Sequence, residues 1–308
     1  MSSITRQLVV DGPGTLTHGS TKLHAAENID ATAILETWRP NISTHGQGGL
    51  RLKDARAEIK FKPTGNITQG IIDLLYPAAL RNPVANTSMH GTTDVALLIH
   101  AMSGEKVTFI NAALAGMPDL ILSPEETAIG DVTFNALVGN GLNRTAASSL
   151  YTKASATWSE SFPEVEIITV PYVGVWNAVT FYTEKGWKVT FGVVLEQRKT
   201  ANEGTIDYKL KSVTARASCT PLHMNRGGLL DELRPQGLAI GASMRQGRDL
   251  VITGGSGGLV VTLYDATMTA GPAQWGPTRL AAGEVGFEAN RRIVTGNLAD
   301  LFAISIAA

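Results

Sequence analysis

The sequence predicts a mainly β chain built as two tandem, similar antiparallel domains, each a β-sandwich or partly closed barrel with one short helix. Three observations carry this. Apolar residues alternate with period two through several stretches, the mark of half-buried strands. Those stretches are rich in β-branched and aromatic residues, as in "ATAILETW" (Ala31–Trp38), "KVTFINAAL" (Lys106–Leu114), "WKVTFGVVLEQ" (Trp187–Gln197) and "LVVTLYDATM" (Leu259–Met268). The same ordered set of segments occurs twice.

The repeat is clearest at "LRLKDARAEIKFKP" (Leu50–Pro63), which aligns without a gap on "YKLKSVTARASCTP" (Tyr208–Pro221) at an offset of 158. Leu52, Lys53, Ala57 and Pro63 match Leu210, Lys211, Ala215 and Pro221. In both copies the apolar positions begin on one parity, at Leu50 and Leu52 or Tyr208 and Leu210. They then switch to the other, at Ala55, Ala57, Ile59 and Phe61 or Val213, Ala215, Ala217 and Cys219. A face switch at a fixed place predicts a bulge or a strand break there. Upstream, "AILE" (Ala33–Glu36) lies opposite "GVVLE" (Gly192–Glu196). Downstream, Ile71, Leu74 and Leu75, and again Leu229, Leu230 and Leu233, have helical spacing, with Pro77 and Pro235 as stops. A strand pair follows from Asp94 and from Asp249, and each copy closes with "GDVTF" (Gly130–Phe134) or "GEVGF" (Gly283–Phe287). These matches divide the chain into a first domain at 1–140, a linker at 141–164 and a second domain at 165–308. The linker is placed by the Gly, Ser, Thr and Ala-rich run from Gly139 to Thr157.

At 308 residues the chain is long enough for two domains of ordinary size. Its charge is balanced, 26 basic against 27 acidic residues, and both halves share that balance, which argues against a dedicated nucleic-acid binder. The single cysteine, Cys219, excludes an intrachain disulfide framework and a Cys-rich zinc site. No run approaches 18 apolar residues, so no membrane span is expected. "MSSITRQLVV" lacks a basic start followed by an apolar run, so no secretory signal is expected, and the chain is expected to fold in the cytoplasm.

The sequence holds no motif that points to a catalytic or metal site. "TGGSGG" (Thr253–Gly258) is followed by strand-like "LVVTLY" rather than the helix a phosphate loop needs, so it reads as a hairpin turn. The six histidines lack metal spacing; His100 alternates with apolar residues and reads as a strand histidine. Cys219 takes the slot of Phe61 and reads as core. "SPEE" (Ser123–Glu126) resembles a helix start that opens a single turn. No catalytic residue, cofactor or metal is expected.

With these elements in order, the chain resembles the major tail tube proteins of long-tailed bacteriophages. "FKPTGNITQGIIDLLYP" (Phe61–Pro77) and "GMPDLILSPEETAIGDVTF" (Gly116–Phe134) carry most of the likeness, which covers most of residues 1–140 and, more faintly, 165–305. The second copy departs where Asp131 and Thr133 become Glu284 and Gly286. The resemblance implies a sandwich with a flanking helix, shared with type VI secretion tube proteins. It implies subunits that close into rings, rings that stack into a tube, and a lumen through which DNA passes without sequence-specific binding. The expected partners are further copies of the chain, a tape-measure protein, a tail terminator and baseplate proteins. The expected location is the virion tail, assembled in the host cytoplasm, and the expected role is structural rather than enzymatic.

Two polar connections, Thr37–Gly49 and Gln197–Asp207, are long for hairpin loops, which usually have about 2–5 residues. They are expected to reach neighbouring subunits or rings through Trp38, Arg39, Asn41, His45, Arg198, Lys199, Asn202 and Glu203. Since single-domain tube proteins of this kind form six-fold rings, a two-domain chain is expected to form a trimer that imitates a hexamer. The competing readings are another tail component of the same fold (a baseplate hub or tail terminator), a carbohydrate-binding β-protein, and a β-rich hydrolase using Asp119, Glu125 or Glu126.

Overall fold

A computed structural model describes the chain except for residues 1, 11, 26, 43–45, 66, 92, 124–126, 140–148, 162–170, 201–203, 224–247, 256–257, 271–272, 276–279, 283, 292, 295–296 and 308. The fold is mainly β, with curled antiparallel sheets that form a half-barrel.

The first half contains β1 (Ser2–Val10), β2 (Gly14–His18), β3 (Thr21–Ala25), β4 (Ile29–Trp38), β5 (Asn41–Ile42), β6 (Gly46–Gln47), β7 (Arg51–Phe61) and β8 (Pro63–Thr64). Two short helices follow, α1 (Gln69–Leu75) and α2 (Ala78–Arg81). Then come β9 (Leu97–Ala101), β10 (Glu105–Phe109), β11 (Asn111–Gly116), β12 (Leu120–Leu122), β13 (Thr127–Ile129), β14 (Val132–Leu137) and β15 (Tyr151–Ser155). One sheet runs β1-β4-β7-β14-β11 and the other β15-β10-β9-β2-β3-β8.

The second half contains β16 (Val173–Trp176), β17 (Val179–Thr200), β18 (Gly204–His223), β19 (Leu250–Thr253), β20 (Leu259–Leu263), β21 (Thr267–Ala270), β22 (Ala273–Trp275), β23 (Leu280–Ala282), β24 (Val285–Glu288), β25 (Ile293–Val294), β26 (Asn297–Leu298) and β27 (Phe302–Ile306). Its main sheet runs β21-β24-β18-β17-β16-β19-β20-β27, with the long β17 taking the places of both β3 and β4.

The two halves carry one ladder. Phe61 pairs with Val132 and Ile59 with Phe134, while Cys219 pairs with Val285 and Ala217 with Phe287, so the offsets are 158 on one strand and 153 on its partner. His18 faces Leu97 as Trp176 faces Leu250. Phe109 faces Tyr151 as Leu263 faces Phe302. The irregularities repeat too. In β4–β7 the register slips between Glu36/Thr37 and leaves Lys53 unpaired; in β17–β18 it slips between Val194/Leu195 and leaves Lys211 unpaired. These bulges fall where the apolar parity switches, because one extra residue turns every later side chain to the other face. A second matching slip leaves Ala115 unpaired between β11 and β14 and Thr269 unpaired between β21 and β24.

Helix α1 starts where its sequence provides a cap: the Thr68 hydroxyl accepts from the Ile71 amide, 3.4 Å. Its buried face is Ile72 and Leu75, with Ile71 and Leu74 packed at the margin, so the apolar stripe is turned slightly from the spacing expected. Pro77, expected as a stop, is also the N-cap of α2, giving the first half two helices rather than one. The helix expected around Leu229–Leu233 lies outside the described residues.

Two further expectations change. The linker at 141–164 includes a strand: β15 pairs with β10 as β27 pairs with β20, so the first half's ladder extends to Ser155. Its Ser, Thr and Ala-rich sequence hid it because four of its five residues are exposed. The connection at Gln197–Asp207 is mostly strand: Gln197 pairs with Tyr208, Arg198 with Asp207, and Thr200 with Gly204. The other connection, Thr37–Gly49, holds a two-stranded ribbon, β5–β6.

Buried side chains of both halves form one connected core. Tyr76, at the end of α1, packs its ring 5.2 Å from Phe191, which in turn packs 4.8 Å from Phe302. The "TGGSGG" stretch links β19 to β20, and the Gly258 amide donates to the Gly255 carbonyl, 2.8 Å, consistent with a hairpin turn.

Candidate assembly surfaces

The most developed surface is the seam between the halves. It is built by strand donation. β12 pairs with its own neighbour β13 on one side and with β17 of the second half on the other: Leu120 faces Val189, Ile121 faces Lys188 and Leu122 faces Trp187. Leu120 and Leu122 are fully buried. At about 1.5–3 kcal/mol for each leucine removed from water, this contact is a substantial part of the seam. Gly186 shows how close the backbones come. Its φ is +83°, and a Cβ there would stand 2.1 Å from the Leu122 carbonyl oxygen. The Tyr76 hydroxyl donates to the Pro118 carbonyl (2.9 Å), and the Phe191 amide donates to Asp119 Oδ1 (3.4 Å), fixing the segment that leads into β12.

A second contact covers β18. The Asn86 amide donates to the Leu210 carbonyl (2.8 Å), the Leu210 amide to the Thr87 carbonyl (2.9 Å), and the Met89 amide to the Tyr208 carbonyl (2.9 Å). His90 is buried beside Tyr208, its ring 5.7 Å away, and donates from Nε2 to the Asn135 carbonyl, 3.1 Å. Burial holds the His90 pKa below its usual value.

The third contact is polar. The β17–β18 hairpin, extended beyond the expected strand ends, lies on the β4–β7 bulge of the first half. Lys199 Nζ donates to Glu36 Oε1 (2.8 Å), which also accepts from Arg56 (2.8 Å). The Thr205 amide donates to the buried Asp54 carboxylate (2.8 Å), and Arg56 donates to the other Asp54 oxygen (2.9 Å). A Cβ on Gly204 (φ +71°) would stand 2.5 Å from that carboxylate. Hydrogen bonds from Lys199 and Arg56 lower the Glu36 pKa from the usual 4.5 to about 2.

Of the residues expected to touch neighbouring subunits, Lys199 reaches the first half of its own chain. Trp38 ends β4 and is 41% exposed, with the Arg51 guanidinium 6.0 Å over its ring. Arg39 and Arg198 are exposed, and the backbone of Asn41 lies in β5. His45, Asn202 and Glu203 lie outside the described residues. Glu36, Asp54, Arg56, Thr205 and the β12 leucines were missed. The apolar triplet after Pro118 and the glycine before Thr205 were the available signals, but neither names its partner.

Asp119, considered above as a catalytic acid, is occupied by the seam; Glu125 and Glu126 lie outside the described residues. His100 stands in β9 with its ring 5.1 Å from Trp158. Cys219 is buried in the core, and burial pushes its thiol up to about 12, far from a reactive thiolate. Among the described residues, no group of three or more His, Cys, Asp or Glu side chains is placed to hold a metal ion, and no helix is long and apolar enough to cross a membrane. No protein-family model matches the chain, and no curated protein matches its sequence.

Proposed function

We propose that the chain is a structural subunit that closes into rings and stacks into a tube, the conduit of a long-tailed bacteriophage tail. The observation that carries the reading is the strand donation from one half to a matching half. A chain in which one ladder hands a strand to a second copy of that ladder already contains one step of a ring. Heterologous contacts of this kind close when the rotation permits, and closure leaves no free sheet edge. In this reading three chains supply six similar units per ring, with DNA passing through the lumen. Tape-measure, terminator and baseplate proteins would be the other partners, and the protein would act in the virion tail without catalysing a reaction. The net charge of −1 suits a conduit that does not retain its cargo.

Electron microscopy of the purified protein tests this. Rings or tubes of uniform diameter are expected at high protein concentration. Discrete single chains at every concentration would overturn the reading.

A further inference from the structure

The seam uses two features of the first half as donors: the β12–β13 hairpin and the Asn86–Met89 segment. The hairpin has a counterpart in the second half. Leu120 faces Ile129 and Leu122 faces Thr127 in β12–β13; Ala273 faces Ala282 and Trp275 faces Leu280 in β22–β23. The first hairpin is built into the other half's sheet. Among the described residues the second is a separate two-stranded sheet, joined to no other strand.

The acceptor also has a counterpart. β12 lies on β17 at Trp187–Val189, which corresponds to Ile29–Ala31 of β4. In this chain that edge is covered by the N-terminal strand: Leu8 faces Ala31, Val9 faces Asp30 and Val10 faces Ile29. Farther along the same strand pair, beside Thr37 and Trp38, the surface matching the one that Asn86–Met89 covers is bare. Leu210 is 1% exposed beneath that segment, whereas its counterpart Leu52 is 60% exposed and Leu50 is 46% exposed. An apolar pair left open where the equivalent pair is covered marks an interaction surface.

We infer that a second copy of this chain docks its β22–β23 hairpin on β4, in the register β12 uses on β17, and covers Leu50 and Leu52. Ala273 then faces Ala31, Gln274 faces Asp30 and Trp275 faces Ile29. The end of β1 leaves that edge as β22 takes it, so β1 is an internal strand exchanged for an external one. The exchange is near neutral in backbone hydrogen bonds, since one strand replaces another. Burial of the Leu50–Leu52 surface makes it favourable. This deepens the ring reading and rests on it only for closure; the pairing itself follows from the repeated ladder.

The test is disulfide trapping between two singly substituted proteins, Asp30→Cys and Gln274→Cys, mixed under mild oxidation. Directly opposed residues of an antiparallel pair have Cβ atoms close enough to bridge, and the native Cys219 is buried. The expected product is a mixed dimer that neither variant forms alone. A Leu52→Glu change within the Asp30→Cys protein should lower its yield at least tenfold. It should leave thermal unfolding unchanged, because Leu52 is exposed in the single chain. Deleting residues 2–10 should raise the yield. Rings or tubes without the mixed crosslink would overturn this pairing and leave the ring reading standing. A protein that stays a single chain at every concentration would overturn both.

Discussion

The first half fills its ladder with Ile29 beside Phe61 and with Leu16 across the core; at the same places the second half has Trp187 beside Cys219 and Gly174. Ile59 becomes Ala217 and Leu23 becomes Phe181, and all of these positions except Gly174 hold buried hydrophobic side chains. Trp187 sits where Gly174 leaves room: a Cβ on that glycine would stand 2.1 Å from the indole. Volume has moved from β7 and β2 to β17 without moving a strand. Polar contacts are kept through the change of residue. His18 Nε2 donates to the Ala112 carbonyl and Trp176 Nε1 donates to the Ala266 carbonyl, each at 2.9 Å. Each ring also packs on a phenylalanine, Phe134 or Phe287. The comparison teaches that register, bulges and a few hydrogen bonds define this unit, while the core's shape is solved separately in each copy.

The sharpest way to break the comparison is to give one half the other's residue. Gly174→Leu restores the first half's side chain beneath an indole that already fills the space. We expect a loss of about 3 kcal/mol in urea unfolding, at the upper end of ordinary overpacking. The double change Gly174→Leu with Trp187→Ile rebuilds the first half's pair and should recover at least half of that loss. If the double variant is as unstable as the single one, the two cores are not exchangeable solutions.

The next effect probes the seam. Gly186→Ala places a methyl group against the Leu122 carbonyl at a positive φ, and should cost about 2 kcal/mol. Because β12 then leaves β17, hydrogen exchange should accelerate in Leu120–Leu122 and in Trp187–Val189 together. Acceleration confined to β17 would show that the strand donation is not shared by both halves.

The smallest effect concerns the polar contact. Lys199→Ala should cost about 0.5–1 kcal/mol, the range for a partly exposed ion pair. The pH dependence has a definite sign. Glu36 is held at about 2 in the folded chain against its usual 4.5, so its contribution is present above pH 4.5 and is lost as pH falls towards 2. The Lys199→Ala protein should lose less stability than the parent across that window. Equal losses would place the acid sensitivity elsewhere.

What the sequence made legible was local. The parity switch at Lys53 and Lys211 marked both bulges because an extra residue reverses the alternation around it. Pro77 marked the end of α1 because a helix stop is a short-range matter, whereas the Thr68 cap was not read from the sequence. What stayed hidden was non-local or two-sidedly exposed. Nothing in "LIL" (Leu120–Leu122) indicates that its partner lies at Trp187–Val189. Glu36 and Lys199 are 163 residues apart, and neither reads as more than a surface charge. β15 is exposed enough to look like a linker, since a strand that buries little has no apolar pattern to show, and the β17–β18 extension looks like a loop because the side chains it buries, Thr205 and Asp207, are polar.

In the proposed ring, the two copies of one ladder in each chain stand for two subunits. Native mass spectrometry of isolated rings tests this most directly. Three copies of the 32.6 kDa chain per ring are expected. Rings of six copies would contradict it, because the second ladder would then stand outside the wall instead of completing it.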